Sequence, residues 1–245
     1  MTNASLASDF ATYFRVIPAD TADLIEKVYQ LRHKVYCEEL GFEPEREDHL
    51  ESDEYDKRSI HCLLFHKPSQ AYIGCVRLVL ADPQNPDAPF PFEHACWETL
   101  EWDFDSPTGA TRLKYGEISR LAIAANFRRR RGEAQVSEGV GDVTEVIGAE
   151  ERRHFHSIAL GLYVAITAMG LNHGLEGVFA MMEPRLARQL RRFGILFRQI
   201  GAAIEYRGIR APFFISRDDL FGNFKHECRE LLANIQNQLN HFAPS

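Results

Sequence analysis

Gly116-Glu117-Ile118-Ser119-Arg120-Leu121-Ala122-Ile123-Ala124 is the stretch on which the fold turns. Its second half is apolar enough for a buried strand, while its first half sets an acid, a hydroxyl and a guanidinium into the same run. On a regular strand, residues three apart face opposite sides. Glu117 and Arg120 therefore serve one site only if a bulge or the strand's start re-aims one of them, and a bulge also frees backbone N–H groups for a ligand.

Upstream, residues 72–80 (YIGCVRLVL) read as a partner strand. Ile73, Cys75, Arg77 and Val79 share one face, so Arg77 stands among apolar neighbours. A buried guanidinium is costly without a paired oxygen, which makes Asp53, Asp56 or Glu117 a physical requirement. Residues 60–66 form another strand across a turn at Pro68-Ser69-Gln70. Before them, Leu24, Val28, Leu31 and Val35 recur at helical spacing as far as Gly41. The segment 42–58 (FEPEREDHLESDEYDKR) has no period and reads as an acidic loop.

Downstream the plan continues. Four prolines in 82–94 exclude a regular element, and 126–153 is polar and glycine-containing, so both read as insertions. Phe155, Ile158, Leu162, Ile166 and Met169 mark a helix, followed by a strand at 177–182. A helix opened by Pro184 closes at Gly194. Strands near 196–206 and 211–215 precede a final helix over 217–240, with Ser216 and Asp219 as an acidic capping pair. The fold class is mixed α/β (α+β): one domain, 1–245, with helices on a largely antiparallel sheet and insertions near 81–115 and 126–153.

Composition narrows the classes. Over 245 residues, 28 basic and 35 acidic side chains leave a net charge of −7, which gives no general case for a nucleic-acid partner. No apolar run approaches the roughly 18 residues of a membrane span, and the N-terminus shows no secretory pattern, so the expectation is a cytoplasmic protein. Five scattered cysteines without a C-x-x-C pair suggest neither disulfides nor a metal site.

Taken together, VYQLRHKVYCEELGF (28–42), DEYD (53–56), GCVRLVL (74–80) and GEISRLAI (116–123) resemble, in order and spacing, the autoinducer-synthase family of N-acyltransferases within the GNAT-like fold. The resemblance spans about residues 13–215, and the loops at 81–115 and 126–153 depart from it. Arg32, Tyr36, Asp53, Asp56, Arg77, Glu117 and Arg120 match the family's signature; Phe42 stands where acyl-homoserine-lactone synthases usually carry Trp. Residues 13–44 are more similar still to acyltransferases of the PEP-CTERM/exosortase sorting system, relatives of long-chain N-acyl amino acid synthases.

The resemblance implies amide formation from an acyl thioester, the donor being the phosphopantetheine thioester of acyl carrier protein or acyl-CoA. Glu117 is then the base that deprotonates the amine. Asp53 and Asp56 anchor the amine or order the N-terminal lid, and Arg120 and Arg77 hold those carboxylates or grip the acceptor's own. Arg32 ties the first helix to the acidic loop, with Tyr36, Phe42 and Ser119 beside the substrate. Backbone amides of Ala122, Ile123 and Ala124 receive the oxyanion. Arg128, Arg129, Arg130 and Arg131, with Arg185, Arg188, Arg191 and Arg192, form a basic surface suited to acyl carrier protein or coenzyme A phosphates. The phosphate-cradling glycine pattern of ordinary GNAT enzymes is not cleanly present, which favours the carrier protein. Met169, Phe179, Met181, Met182, Phe193 and Phe197 are candidates for an acyl tunnel, but at these spacings core packing is the first assignment. Other readings are an acyl-CoA N-acyltransferase acting on a protein or small amine, a homoserine-lactone synthase, and a non-catalytic acyl-thioester sensor.

Overall fold

The computed structural model describes residues 5–100, 107–128 and 149–240. Helix α1 (Leu6–Tyr13), capped by the Ser5 hydroxyl, runs straight into β1 (Phe14–Pro18). Thr21 caps α2 (Ala22–His33), which continues as a π-turn over Lys34–Glu39 and stops before Gly41 in left-handed backbone (φ 63°). A hairpin of β2 (Ser59–His66) and β3 (Ala71–Leu80) precedes β4 (Tyr115–Ile123). The proline-rich segment contains one short helix after all, α3 (Pro91–Cys96), because Pro91 occupies its first turn, where no N–H is needed. The rest comprises α4 (Ala125–Arg128), α5 (Ala149–Asn172), β5 (Gly177–Met182), α6 (Pro184–Arg191), the two-residue strands β6 (Arg198–Gln199) and β7 (Ile204–Glu205), and β8 (Ile209–Ser216).

The expected single helix over 217–240 is two, α7 (Arg217–Asn223) and α8 (His226–Asn240). Phe224 takes extended backbone between them and is buried, while the Asn223 amide closes α7 on the Asp219 carbonyl. The long strand expected near 196–206 is likewise reduced to the two short pieces β6 and β7.

The main sheet has the order β1-β2-β3-β4-β5-β8-β6, with β7 pairing to β8. Every neighbour pair is antiparallel except β4 with β5. Helix α2 covers one face through Val28, Leu31 and Val35 against Leu63, Cys75 and Ala122. Helices α5, α8 and α1 cover the other through Ile158, Leu162, Ile166, Leu231 and Phe10. Gly161 is required at the α1 crossing, since a Cβ there would lie 2.1 Å from the Phe10 ring.

Two irregularities of β4 shape the site. Ser119 pairs with Arg77 and Ala122 with Cys75, so Arg120 and Leu121 together face Val76 in a bulge, with Arg120 in left-handed backbone (φ 50°). The second is a parting of strands. The parallel ladder runs only from Tyr115–Gly177 to Ile118–Ala180; beyond it β4 follows β3 and β5 follows β8.

Candidate active site

The bulge changes which side chains share a face. Ile118 and Leu121, three apart, both join the α5-side core, while Ala122 packs under α2. Glu117, Ser119 and Arg120 thereby all line one cleft at the parting of β4 and β5. Tyr36 and Phe42 form another part of its wall, Phe92 of α3 a third, and Tyr206, Arg207 and Arg210 of the β7–β8 hairpin a fourth.

Glu117 is buried at the cleft wall, and its Oε2 accepts the Phe92 amide at 2.8 Å. Burial pushes its carboxyl up to about 8, against the pull of that amide and of Arg77, while Glu93 pushes the same way as burial. Burial thus favours the protonated carboxyl near neutral pH.

Around it lies an ion network that only the folded chain assembles. Arg32, fully buried, holds Asp56 bidentately at 2.7 and 3.1 Å and also pairs with Glu51. Arg77 donates to Asp53 at 2.5 Å, to Asp56 at 2.9 Å and, through Nε, to the Ser119 hydroxyl at 3.0 Å. Arg120 donates to Glu51 and Glu43, each at 3.1 Å, and stands 3.1 Å from Asp53. Glu43 also pairs with Arg207 across the cleft mouth. These cations hold Glu51, Asp53 and Asp56 below the usual carboxylate range despite burial. The Asp53 and Asp56 geometry is local: Asp53 caps the 3-10 turn Glu54–Arg58, and Asp56 reaches back to the Asp53 amide.

The sequence-derived roles are therefore redistributed. Arg77 does find the carboxylates its burial requires, and Arg32 does bind the first helix to the acidic loop. Neither is among the residues that line the cleft. Asp56 is enclosed by two guanidiniums; Asp53 keeps a quarter of its side chain exposed. The amide of Ala124 is spent on the Ile73 carbonyl, and Ala122 and Ile123 are buried outside the cleft lining, because β4 has resumed regular pairing past the bulge. The Tyr36 hydroxyl donates to the Leu121 carbonyl at 2.8 Å and so pins the bulge.

Glu43, Glu51, Arg207 and Arg210 were not singled out from sequence. The two acids are indistinguishable from their neighbours in an acidic run, and the two arginines belong to a hairpin whose only signal is the turn glycine, Gly208. Arg188, Arg191 and Arg192 are exposed on α6 and just after it, and Arg185 is half-buried. The Arg128 side chain and all of Arg129, Arg130 and Arg131 lie outside the described residues.

A second, half-open apolar pocket lies on the α5 side and is lined by Leu171, Leu175, Val178, Ile195 and Phe197. Ile118 and Tyr163 line both cavities. Of the residues considered for an acyl tunnel, Met181 borders the cleft and Phe197 the apolar chamber, whereas Phe179 and Met182 are buried core.

His33, Glu38 and His49 cluster closely enough to suggest a metal. His33 Nε2, however, accepts the Arg46 amide at 3.1 Å, which leaves the ring proton on Nδ1, facing Glu38. Coordination through Nδ1 would set two donors against each other, so the donor set does not fit a metal.

Residues 31–138 match the family model described as an acetyltransferase (GNAT) domain. An acyl-homoserine-lactone synthase of Aeromonas salmonicida is 26% identical over 175 residues, which is 71% of this chain and 70% of that protein. The crystal structure of TofI in a ternary complex with an inhibitor and MTA superposes with a TM-score of 0.59 at 16% identity, covering 90% of this chain and 99% of that one. FeeM, an N-acyl amino acid synthase from uncultured soil microbes, gives a TM-score of 0.50 at 12% identity, with 86% and 94% covered. The mixed sheet flanked by helices is that of GNAT enzymes and autoinducer synthases.

Proposed function

We propose that this GNAT-type N-acyltransferase moves a fatty acyl group from the thioester of acyl carrier protein to the amine of an amino acid or similar small molecule. The observation that carries the reading is the position of Glu117: a buried, proton-holding carboxyl at the parting of β4 and β5, beside a cleft that shares Ile118 and Tyr163 with an apolar chamber. The cleft suits a polar amine and the chamber an acyl chain.

In that reading the ionised Glu117 carboxylate takes a proton from the acceptor's ammonium, directly or through water. The free amine attacks the thioester carbonyl, the C–N bond forms and the C–S bond breaks as the tetrahedral intermediate collapses, and the proton that the new amide nitrogen sheds is taken up by the departing thiolate. Beyond Ile118 the β5-facing edge of β4 has no strand neighbour among the described residues, so we place the oxyanion at the bulge, near Ser119–Leu121, rather than at Ala122–Ala124. Arg185 and Arg188 on α6, with Arg192 at its C-terminal cap, form the surface for the acidic carrier protein. A cytoplasmic setting follows from that donor. A place beside the PEP-CTERM/exosortase system rests on the sequence likeness of residues 13–44 alone.

The relative from Aeromonas favours a second reading, homoserine-lactone synthesis. Mass spectrometry of lipid extracts from cells expressing wild type or Glu117→Gln separates the two. An N-acyl amino acid made only by wild type supports the proposal; an acyl-homoserine lactone supports the alternative. No new acylated amine, with soluble protein and ample donor and amine, removes both and leaves a protein acceptor or a thioester sensor.

A further inference from the structure

We infer that the β7–β8 hairpin, through Arg207 with Arg210, recognises a carboxylate on the amine acceptor, the Glu43 carboxylate being the internal competitor for the same guanidinium. The inference rests on the acyl-transfer reading of this cleft and adds the feature by which an acceptor is chosen.

The guanidiniums first considered for that task are engaged elsewhere. Arg77 is buried against Asp53 and Asp56, and Arg120 is shared among Glu51, Glu43 and Asp53. Arg207 differs in two respects. Its side chain remains about a quarter exposed on the cleft wall, and the carboxylate it touches, Glu43, already has a second cation in Arg120. Exchanging one carboxylate for another on a guanidinium that solvent reaches costs little, because the incoming charge replaces the one displaced and Glu43 keeps Arg120. The same exchange at buried Asp56 would strip two enclosed cations.

The hairpin holds Arg207 in place. Arg207 and Gly208 both take left-handed backbone (φ 55° and 93°), and the Arg207 guanidinium lies 5.0 Å from the centre of the Tyr206 ring. The Arg210 Nε donates to the Arg207 carbonyl, which ties a second guanidinium, one that also acts on the Glu183 carboxyl, to the same turn. Among the described side chains lining the cleft, Glu117 is the one acid. The cleft thus has its titrating acid on β4 and its guanidiniums on the hairpin. An amine that also carries a carboxylate matches both.

The test pairs each standard L-amino acid with its own carboxamide. Binding is measured by calorimetry, and turnover with an acyl-carrier-protein thioester. We expect at least one acid to be preferred over its carboxamide by about tenfold or more, the usual weight of a charge-assisted hydrogen bond. Arg207→Gln combined with Arg210→Gln should bring that ratio towards one, Arg207→Lys should retain part of it, and Glu43→Gln should tighten acid binding. A wild type indifferent to the carboxylate, or a preference that survives the double substitution, overturns the inference. If the binding preference is present and hairpin-dependent but no amine is ever acylated, the carboxylate site stands and the acyl-transfer reading fails instead.

Discussion

Arg32 and Arg77 converge on one oxygen: the Nη1 atoms of the two guanidiniums lie 2.7 and 2.9 Å from Asp56 Oδ1. One arginine comes from α2 and the other from β3, so this carboxylate locks the helix and the 3-10 turn onto the sheet. Asp56→Asn keeps the shape but leaves two buried cations short of a counter-charge. We expect a loss of about 3–5 kcal/mol in chemical denaturation. A loss below about 1 kcal/mol would mean that Glu51 and Asp53 compensate and that the lock is not at Asp56.

Glu117 titrates near 8 because it is buried, so its basic form grows as pH rises through that value. The wild-type kcat/KM should climb over the same range. Glu117→Gln should lower it by about 10²–10⁴ and remove that limb. Taking the wild-type-to-variant ratio at each pH cancels the acceptor's own titration. A ratio independent of pH would exclude Glu117 as the base.

His61 provides a second pH effect, on stability. Its ring is buried beside Asp56, Arg32 and Arg77, both nitrogens lack a hydrogen-bond partner, and burial pushes its pKa down from 6.5 to about 4. The folded value lies below the unfolded one, so its contribution is full above pH 6.5 and lost as pH falls towards 4. The loss amounts to about 3 kcal/mol by linkage. Subtracting the His61→Phe stability curve from the wild-type curve should reveal that slope, and parallel curves would refute it.

Val178 is half-buried on the wall of the apolar chamber. Val178→Trp should fill it and shift the preferred donor to shorter acyl chains, seen as a change in the ratio of kcat/KM between long and short thioesters. An unchanged ratio would place the chain elsewhere.

Reversing charge on the exposed face of α6, with Arg188→Glu and Arg192→Glu together, should raise KM for acyl carrier protein several-fold while leaving small thioester analogues nearly unaffected. Equal effects on both donors would argue against a docking surface.

What was legible in the sequence follows from what is local. Period and punctuation placed α2, β2, β3, β4 and β5, since each element's apolar face is written within its own few residues. The need for a bulge could be derived from the three-residue spacing of Glu117 and Arg120, and the need for partners from the burial of Arg77. The sequence did not say which of the many acids in 42–58 each arginine would take. That choice depends on distances across α2, β3 and β4, and it put Glu51 and Glu43 into the network and took Arg32 and Arg77 out of the cleft. The opposing wall, built by Arg207 and Arg210, is about ninety positions downstream of Glu117. Only the parting of β4 from β5, a property of the packed sheet, brings the two to one cleft.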